Sequence, residues 1–325
     1  MIVVTEEEVR RHVSFAAVLA AIEGAFVALE DGKSQVFDVV RGRGGGKDHF
    51  FGIKSARDGS TPIIGLKAGS YAPDNHSRGL ESHTSTTLLL DDLTGRPIAV
   101  VEANYLNGLR TSAANALATR ALARKDASTL GIIGTGGQAV FEALAVAHVR
   151  PIRRIIAVGS SPERRRSFEA AVREKLDVPI EFAQAEKAAR EADVLVTVTP
   201  AREPLVRAGW VRPGTHISAM GADNVGKQEL DVELVRSASC WVDYPEQSVR
   251  IGEMQHAALA GFVTLEQLRE RTLGRLLKGS GSLLPAAGEI TIFDSSGVAI
   301  QDLAAAQAAV KCVSEARGGG PARER

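Results

Sequence analysis

Residues 129–149 read TLGIIGTGGQAVFEALAVAHV, and how this stretch is read decides the fold. A short apolar run meets Gly134-x-Gly136-x-x-Ala139 and passes at once into an Ala-rich helical pattern. The first glycine allows a tight turn. The second lets the backbone approach a pyrophosphate, and a small third residue lets helix and strand pack closely with the helix N-terminus facing the phosphates. Gly134, Thr135, Gly136, Gly137, Gln138 and Ala139 are therefore a candidate dinucleotide cradle.

The downstream chain supports that reading. RRIIAVGS, PERRRSFEAAVREKL, IEFA, AEKAAREA, DVLVTVT and THISAMG alternate strand and helix, and continuous apolar strands between helices imply a parallel sheet covered on both faces. This is the pattern of a Rossmann doubly wound α/β domain. Thr199, Met220 and Gly221, at strand ends, are further candidate cofactor contacts. The second strand ends at Gly159, Ser160 and Ser161, with Arg164 and Arg165 just beyond. An NAD-specific site usually carries an acid there. None repels a 2′-phosphate here, and Ser160, Ser161 and Arg164 could hold one, which favours NADPH. The same arginines also read as a solvated helix start, so NAD(P)H is the cofactor expected and the choice stays open.

The upstream chain is of another kind. TEEEVRRHVSFAAVLAAIEGAFVALEDG opens with a capping box and continues at helical spacing as one or two helices. Residues 36–105 are short β-rich runs split by turn signals, with DDLTGRP as a hairpin turn, and they predict an antiparallel sheet. LRTSAANALATRALAR is helical. The end of the chain returns to a strand, ITIFDSS, and an Ala-rich helix that could pack back on the first domain. We expect residues 1–118 with 296–325 to form a β-rich α+β substrate-binding and dimerisation domain, and residues 119–295 the Rossmann domain.

Lysine plus arginine (39) balance aspartate plus glutamate (39) over 325 residues, so nothing points to nucleic acid or an anionic membrane. The two cysteines, Cys240 and Cys312, lie far apart and fit a reducing cytoplasm, with Cys240 buried and inert. The N-terminus turns acidic at once, unlike a signal peptide, and no apolar run is long enough to span a bilayer. The tail, ARGGGPARER, reads as disordered. Glu253 and His256 are spaced as a metal pair, but no further ligand joins them, so no metal is expected.

Several cations punctuate the β-rich part. Lys67 lies at a strand end in IIGLKAG, Arg110 at a helix entrance in NGLRTSAANA with Thr111 and Ser112 beside it, and Arg41 and Arg43 in DVVRGRGGG. Converging, they would bind a carboxylate. The acid Asp223 sits in a turn between Gly221 and Gly226. GLKAG, LRTSAA, the glycine cradle, GADNVGKQELD and ITIFDSSGVAIQDLA, in this order, resemble the ornithine cyclodeaminase/μ-crystallin family along nearly the whole chain.

That resemblance implies a homodimer of two-domain subunits acting on a small imino or amino acid. It carries over Lys67 and Arg110 as the carboxylate-binding pair, with Arg41 as third cation in competition with Arg43. It assigns Asp223, with Lys67, to proton handling near the substrate nitrogen, and Thr111, Ser295 and Gly297 to the cofactor side. A cyclodeaminase acting on ornithine would be expected to hold the distal amine with a glutamate before the lysine strand. KDHFFGIKSARDGSTPIIGLK has none, only Asp48 and Asp58, and an unpaired buried ammonium is costly. VGKQELD and EQSVRIGEMQHA look more like the reductase and dehydrogenase members. The expected activity is reduction of a 2-imino carboxylate, cyclic or acyclic, to the L-amino acid. A cyclodeaminase with catalytic NAD and a non-catalytic NADPH-holding protein are the alternatives.

Overall fold

The computed structural model describes residues 1–46, 49–279 and 284–318. Asp48 and the tail from residue 319 on, with its expected disorder, lie outside the described residues. The chain divides into two compact units, residues 1–111 with 298–325 and residues 112–297. The sequence reading placed the divisions at 118/119 and 295/296.

In the first unit, β1 (Ile2–Val4) leads into α1 (Glu6–His12) and α2 (Phe15–Glu30). The Thr5–Glu8 capping box starts α1, and Ser14 caps α2, so the long helical stretch is two helices. Then follow β2 (Gln35–Val36), β3 (Val40–Arg43), β4 (Phe50–Asp58), β5 (Ile63–Tyr71), β6 (His83–Asp91), β7 (Pro97–Glu102) and the start of α3 (Asn104–Leu122), which from Ser112 on belongs to the second unit. The sheet runs β1-β7-β6-β5-β4-β2 with β3 also on β4. It is antiparallel apart from the parallel β1–β7 pair, which the sequence reading did not anticipate. Along β6 the buried residues are Ser85, Thr87 and Leu89, the alternation of a sheet with one covered face.

The second unit opens with β8 (Thr129–Ile133), α4 (Gly137–Val149), β9 (Arg154–Val158), α5 (Pro162–Arg173), β10 (Ile180–Phe182), α6 (Ala185–Glu191), β11 (Val194–Thr197) and β12 (Arg202–Val206). It continues with β13 (His216–Ala219), β14 (Gln228–Leu230), α7 (Val232–Ser237), β15 (Ser239–Val242), α8 (Pro245–Ile251), α9 (Met254–Leu259), α10 (Leu265–Arg269), α11 (Leu273–Leu277) and β16 (Thr291–Asp294). The parallel sheet has the order β10-β9-β8-β11-β13-β16-β15. Every residue of β8, β11, β13 and β16 is buried, which is why these strands read as continuous apolar runs. The winding reverses between β8 and β11, and ligands of such sheets bind beyond the carboxyl ends at that point. His216, wholly buried, bonds Thr291 and Ser218 through its two ring nitrogens, and burial pushes its pKa down to about 3, so it is a neutral core residue.

The last helix, α12 (Ala299–Ala316), belongs to the first unit and packs against α2 and across β4, β5 and β6. Its Ala-rich face lets it lie close to the sheet: a Cβ at Gly65 would come within 2.9 Å of Leu303 Cδ2. Among the described residues no single helix is long and apolar enough to cross a membrane.

Candidate active site

Alternation along β5 turns Gly65, Lys67 and Gly69 toward α12. Lys67 is only 7% exposed, and its Nζ lies 2.9 Å from Asp302 Oδ1 and donates to Asn107 Oδ1 at 2.9 Å. Arg110, 6% exposed, sits one turn after Asn107 on α3. Its guanidinium donates to Asn107 Oδ1 at 2.6 Å and to Gln301 Oε1 at 3.3 Å. Arg110 Nε is 3.0 Å from Asp302 Oδ1, but not aligned for a hydrogen bond, so Nε and Asp302 Oδ2 lack hydrogen-bond partners among the described residues. Two cations thus share one buried carboxylate, and Asn107 and Gln301 fix the planar guanidinium from behind.

That arrangement sets the protonation. Burial, followed by the positive charge of Arg110, pushes the Lys67 pKa down to about 7, with Asp302 working in the opposite direction. Burial alone would raise the Asp302 pKa, but Arg110 and Lys67 outweigh it and hold the carboxyl below its ordinary value. Asp302, Asn107 and Gln301 were not singled out from sequence. The available signal for Asp302 was a lone acid inside an Ala-rich helix. Lys54, directly opposite Lys67 on β4, was also missed.

Arg41 is half-buried on β3 with its guanidinium 5.9 Å from the Phe50 ring, whereas Arg43 is exposed. Thr111 Oγ1 donates to the Asn107 carbonyl within α3.

The second unit gathers its candidate cofactor residues at the carboxyl ends of the sheet: 134–139 after β8, Ser160 and Ser161 after β9, Thr199 after β11, Met220 and Gly221 after β13, Ser295 and Gly297 after β16. The cradle fits a dinucleotide. Gly134 has φ +117°, and a Cβ there would stand 2.5 Å from the Val198 carbonyl oxygen. A Cβ at Gly136 or Gly137 would have no atom within 4 Å, so open space lies before the N-terminus of α4, which has no side-chain cap. Thr135 Oγ1 is buried with no hydrogen-bond partner among the described residues. Ala139 is fully buried against the sheet. Gln138 donates to Glu142 at 2.6 Å.

At the β9 end, Ser161 accepts the Arg164 backbone N–H as the cap of α5, and the Arg164 side chain is exposed. It is Arg165 that turns back, donating to the Gly159 carbonyl at 2.7 and 2.9 Å. Ser295 and Gly297 are held by Asp243: the Ser295 hydroxyl donates at 3.2 Å and the Gly297 N–H at 2.7 Å.

Asp223 follows β13, and its side chain is 56% exposed, 2.5 Å from Lys227 Nζ. Beneath this loop lies a buried carboxylate that sequence reading passed over. Glu229 accepts from Thr197 Oγ1 at 2.8 Å, from the Thr199 N–H at 2.7 Å and hydroxyl at 2.8 Å, and from the Gly221 N–H at 2.9 Å. It ties the ends of β11 and β13 together. Gly221 is glycine because a Cβ would lie 2.6 Å from the Glu229 carboxyl carbon. Glu253 in turn accepts from the Glu229 and Leu230 N–H groups; burial, then the charge of Glu229, raises its pKa. His256 lies 3.2 Å from the Lys227 carbonyl oxygen, and no metal-holding group occurs among the described residues. Cys240 is buried, its thiol pushed up to about 12 by burial.

A parallel-sheet unit with a phosphate cradle and an antiparallel-sheet unit with a buried cation pair together define a dinucleotide-binding protein with a carboxylate site. The chain belongs to the ornithine cyclodeaminase/mu-crystallin family, whose model matches residues 1–316. It is 41% identical over 313 residues to the iminosuccinate reductase of Paracoccus denitrificans, covering 96% of each chain. The structure of that reductase with NAD+ superposes with a TM-score of 0.91 over 98% of this chain and 97% of that one, at 40% identity. The Δ1-pyrroline-2-carboxylate reductase of Thermococcus litoralis, solved with NADH and L-proline, gives 0.91 at 30% identity, covering 99% of this chain and 100% of its own. An archaeal alanine dehydrogenase dimer with bound NAD gives 0.89 at 35% identity, covering 99% and 98%.

Proposed function

We propose that the protein reduces a 2-imino carboxylate to the L-amino acid with NAD(P)H. The observation that carries this reading is the buried Lys67–Arg110 pair, which shares one carboxylate, Asp302, and therefore keeps a positive charge to offer an anion. Arg110, held flat by Asn107 and Gln301, presents its remaining N–H groups to a substrate carboxylate in the paired geometry that guanidinium favours. Lys67 adds charge, and Arg41 is the third cation in this reading. When bound, the nicotinamide supplies hydride to the imine carbon. The chain must then keep the imine nitrogen protonated, because an iminium accepts hydride far more readily than a neutral imine. Asp223 stabilises that cation, and Asp223 or Lys67 supplies the proton. A lysine that titrates near 7 is suited to this at neutral pH.

Both dinucleotides are accepted in this reading, with NADPH favoured by the absence of an acid at Gly159–Ser161; the relatives above support NAD(H). A homodimer forms through the face of the first sheet turned away from α12. There the register lines up Val3, Val100, Leu88 and Leu66 as an apolar row, and the alanine dehydrogenase dimer supports the assignment. Asp223→Asn tests the chemistry: turnover is abolished while NADPH still binds. A variant with near-normal kcat would sink the role given to Asp223.

A further inference from the structure

Asp223 stands in a loop, and its side chain is 56% exposed. An acid with so little packing around it is placed chiefly by the backbone that carries it. Proton transfer needs such a group within hydrogen-bond reach, and a misplacement of about 1 Å can cost on the order of a hundredfold in rate. The segment from Gly221 to Leu230 must therefore be held, and its polar groups show by what. Gly226 takes φ +76° at its turn, where the Lys227 N–H donates to the Asn224 carbonyl at 3.2 Å. The Gln228 N–H donates to the Ala201 carbonyl at 3.0 Å, and the exposed Arg202 reaches the Val225 carbonyl at 3.1 Å.

At the start of α9 three side chains, Glu253, Gln255 and His256, meet this segment. Glu253 accepts the N–H groups of Glu229 at 2.9 Å and Leu230 at 2.7 Å. His256 Nε2 lies 3.2 Å from the Lys227 carbonyl oxygen, and since a carbonyl only accepts, that nitrogen carries the proton. Gln255 is 4% exposed. Its Oε1 accepts the Gly226 N–H at 2.7 Å, and its Nε2 donates to the carbonyls of Gly252 at 2.8 Å, Lys227 at 3.1 Å and Asn224 at 3.3 Å. A carboxylate there would turn an oxygen on those carbonyls, and an ammonium would leave the Gly226 N–H unmet, so the amide suits the position. Lys227 carries the restraint on to the acid. Its carbonyl is gripped by Gln255 and His256, and its Nζ donates to the Gly221 carbonyl at 3.2 Å and to Asp223 Oδ1 at 2.5 Å.

We infer that Gln255 is a positioning residue: its carboxamide fixes the turn at 224–228 and, through Lys227, sets where the Asp223 carboxylate stands. The helix does not need Gln255 for its own anchorage. Met254 and Ala257 are buried in the core of the second unit, and Glu253 ties the helix start to β14. The Gln255 amide reaches instead to the turn that follows Asp223. The inference rests on the imine-reduction reading for the work that Asp223 does, but on hydrogen bonds within the second unit for its placement.

The test compares Gln255→Met, which keeps the side chain's length and removes its polar atoms, with the parent protein. On an imine that the parent reduces, kcat falls about tenfold or more, while KM and the Kd for NADH stay within about twofold. An undiminished kcat in a variant whose melting temperature has fallen makes Gln255 a structural residue only and overturns the inference. So does a variant in which KM rises and kcat holds. A second readout needs no turnover: amide hydrogen exchange followed by NMR. In the parent the Gly226 N–H is protected about tenfold or more, because it is bound to a buried side chain, and in Gln255→Met that protection is lost. A Gly226 amide that is unprotected in the parent, or as well protected in Gln255→Met, overturns the clamp. Near-normal kcat in Asp223→Asn would sink the proton role alone, and protection that disappears in Gln255→Met would still support the clamp.

Discussion

Replacing Asp302 with asparagine removes the one negative charge that two buried cations share while keeping the side chain's shape. Asp302 Oδ1 lies 2.9 Å from Lys67 Nζ and 3.0 Å from Arg110 Nε, and all three side chains are buried. Removing one member of such a buried group costs roughly 3 to 5 kcal/mol, because the remaining charges are left uncompensated. The loss depends on pH in a direction fixed by Lys67. In the folded protein its pKa is about 7 against 10.5 for the free side chain, so the unfolded chain binds more protons between those values and stability rises with pH there. Asp302 favours the charged lysine, so Asp302→Asn lowers the folded pKa further and starts that rise at lower pH. The deficit of the variant is therefore greatest below its own lowered Lys67 pKa and has shrunk by about 1.4 kcal/mol for each unit of that fall once pH exceeds the parent's value of about 7; between pH 6 and pH 8 it shrinks by at most about 1.4 kcal/mol. Urea unfolding of both proteins at the two pH values measures it. A deficit under about 1 kcal/mol at pH 6, or one that does not change with pH, would refute the shared-carboxylate account, since breaking a buried pair costs several times that.

Other consequences are as specific. Gly134→Ala places a methyl group 2.5 Å from the Val198 carbonyl at a φ of +117°, and it should abolish NADH binding, read by fluorescence titration, while the Lys67 site keeps its affinity for a carboxylate. Asp294 is wholly buried, and burial, then the charge of Asp243, raises its pKa from 3.8 to about 7. Stability from this group is fully present below 3.8 and is lost as pH rises through about 7. Asp294→Asn should therefore gain on the parent by roughly 2 kcal/mol between pH 5 and pH 7, and a difference constant over that range would contradict it. Leu88→Lys puts a charge in the apolar row of the first sheet and should yield monomers by light scattering.

The parts of this molecule that could be read from sequence were those encoded locally. The cradle at Gly134–Ala139 depends on glycines a few residues apart between a strand and a helix, and it lies where that spacing put it. Lys67 and Arg110 were read at a strand end and a helix entrance, but Lys67 lies in the middle of β5 and Arg110 in the second turn of α3, because both elements run further than their apolar patterns suggest; both come to Asp302. The partners were missed for the opposite reason. Asp302 reaches Lys67 only because α12 returns to the first sheet, and nothing near residue 302 announces the lysine. Lys54 was hidden in a run read only as β-rich. Parity could have found it, since Gly52, Lys54 and Ala56 alternate on the face that β5 fixes through Lys67. Glu229 was passed over within VGKQELD, yet it is fully buried, its four donors coming from the ends of two strands that are adjacent in the sheet but distant in sequence. At the β9 end the sequence offered Arg164 and Arg165 side by side; Ser161 caps α5 through the Arg164 N–H, and Arg165 folds back on Gly159. A single residue of helix phase separates the two.

The central claim is net reduction of an imine. The most direct measurement follows the near-ultraviolet absorbance of NADH and NADPH with purified protein. It supplies ammonia with oxaloacetate or pyruvate, and the cyclic ketimines related to proline and pipecolate. The account predicts stoichiometric loss of reduced cofactor with at least one of these and formation of the matching L-amino acid. No loss with any of them, together with ammonia released from ornithine or lysine at constant absorbance, would contradict it and make the protein a cyclodeaminase.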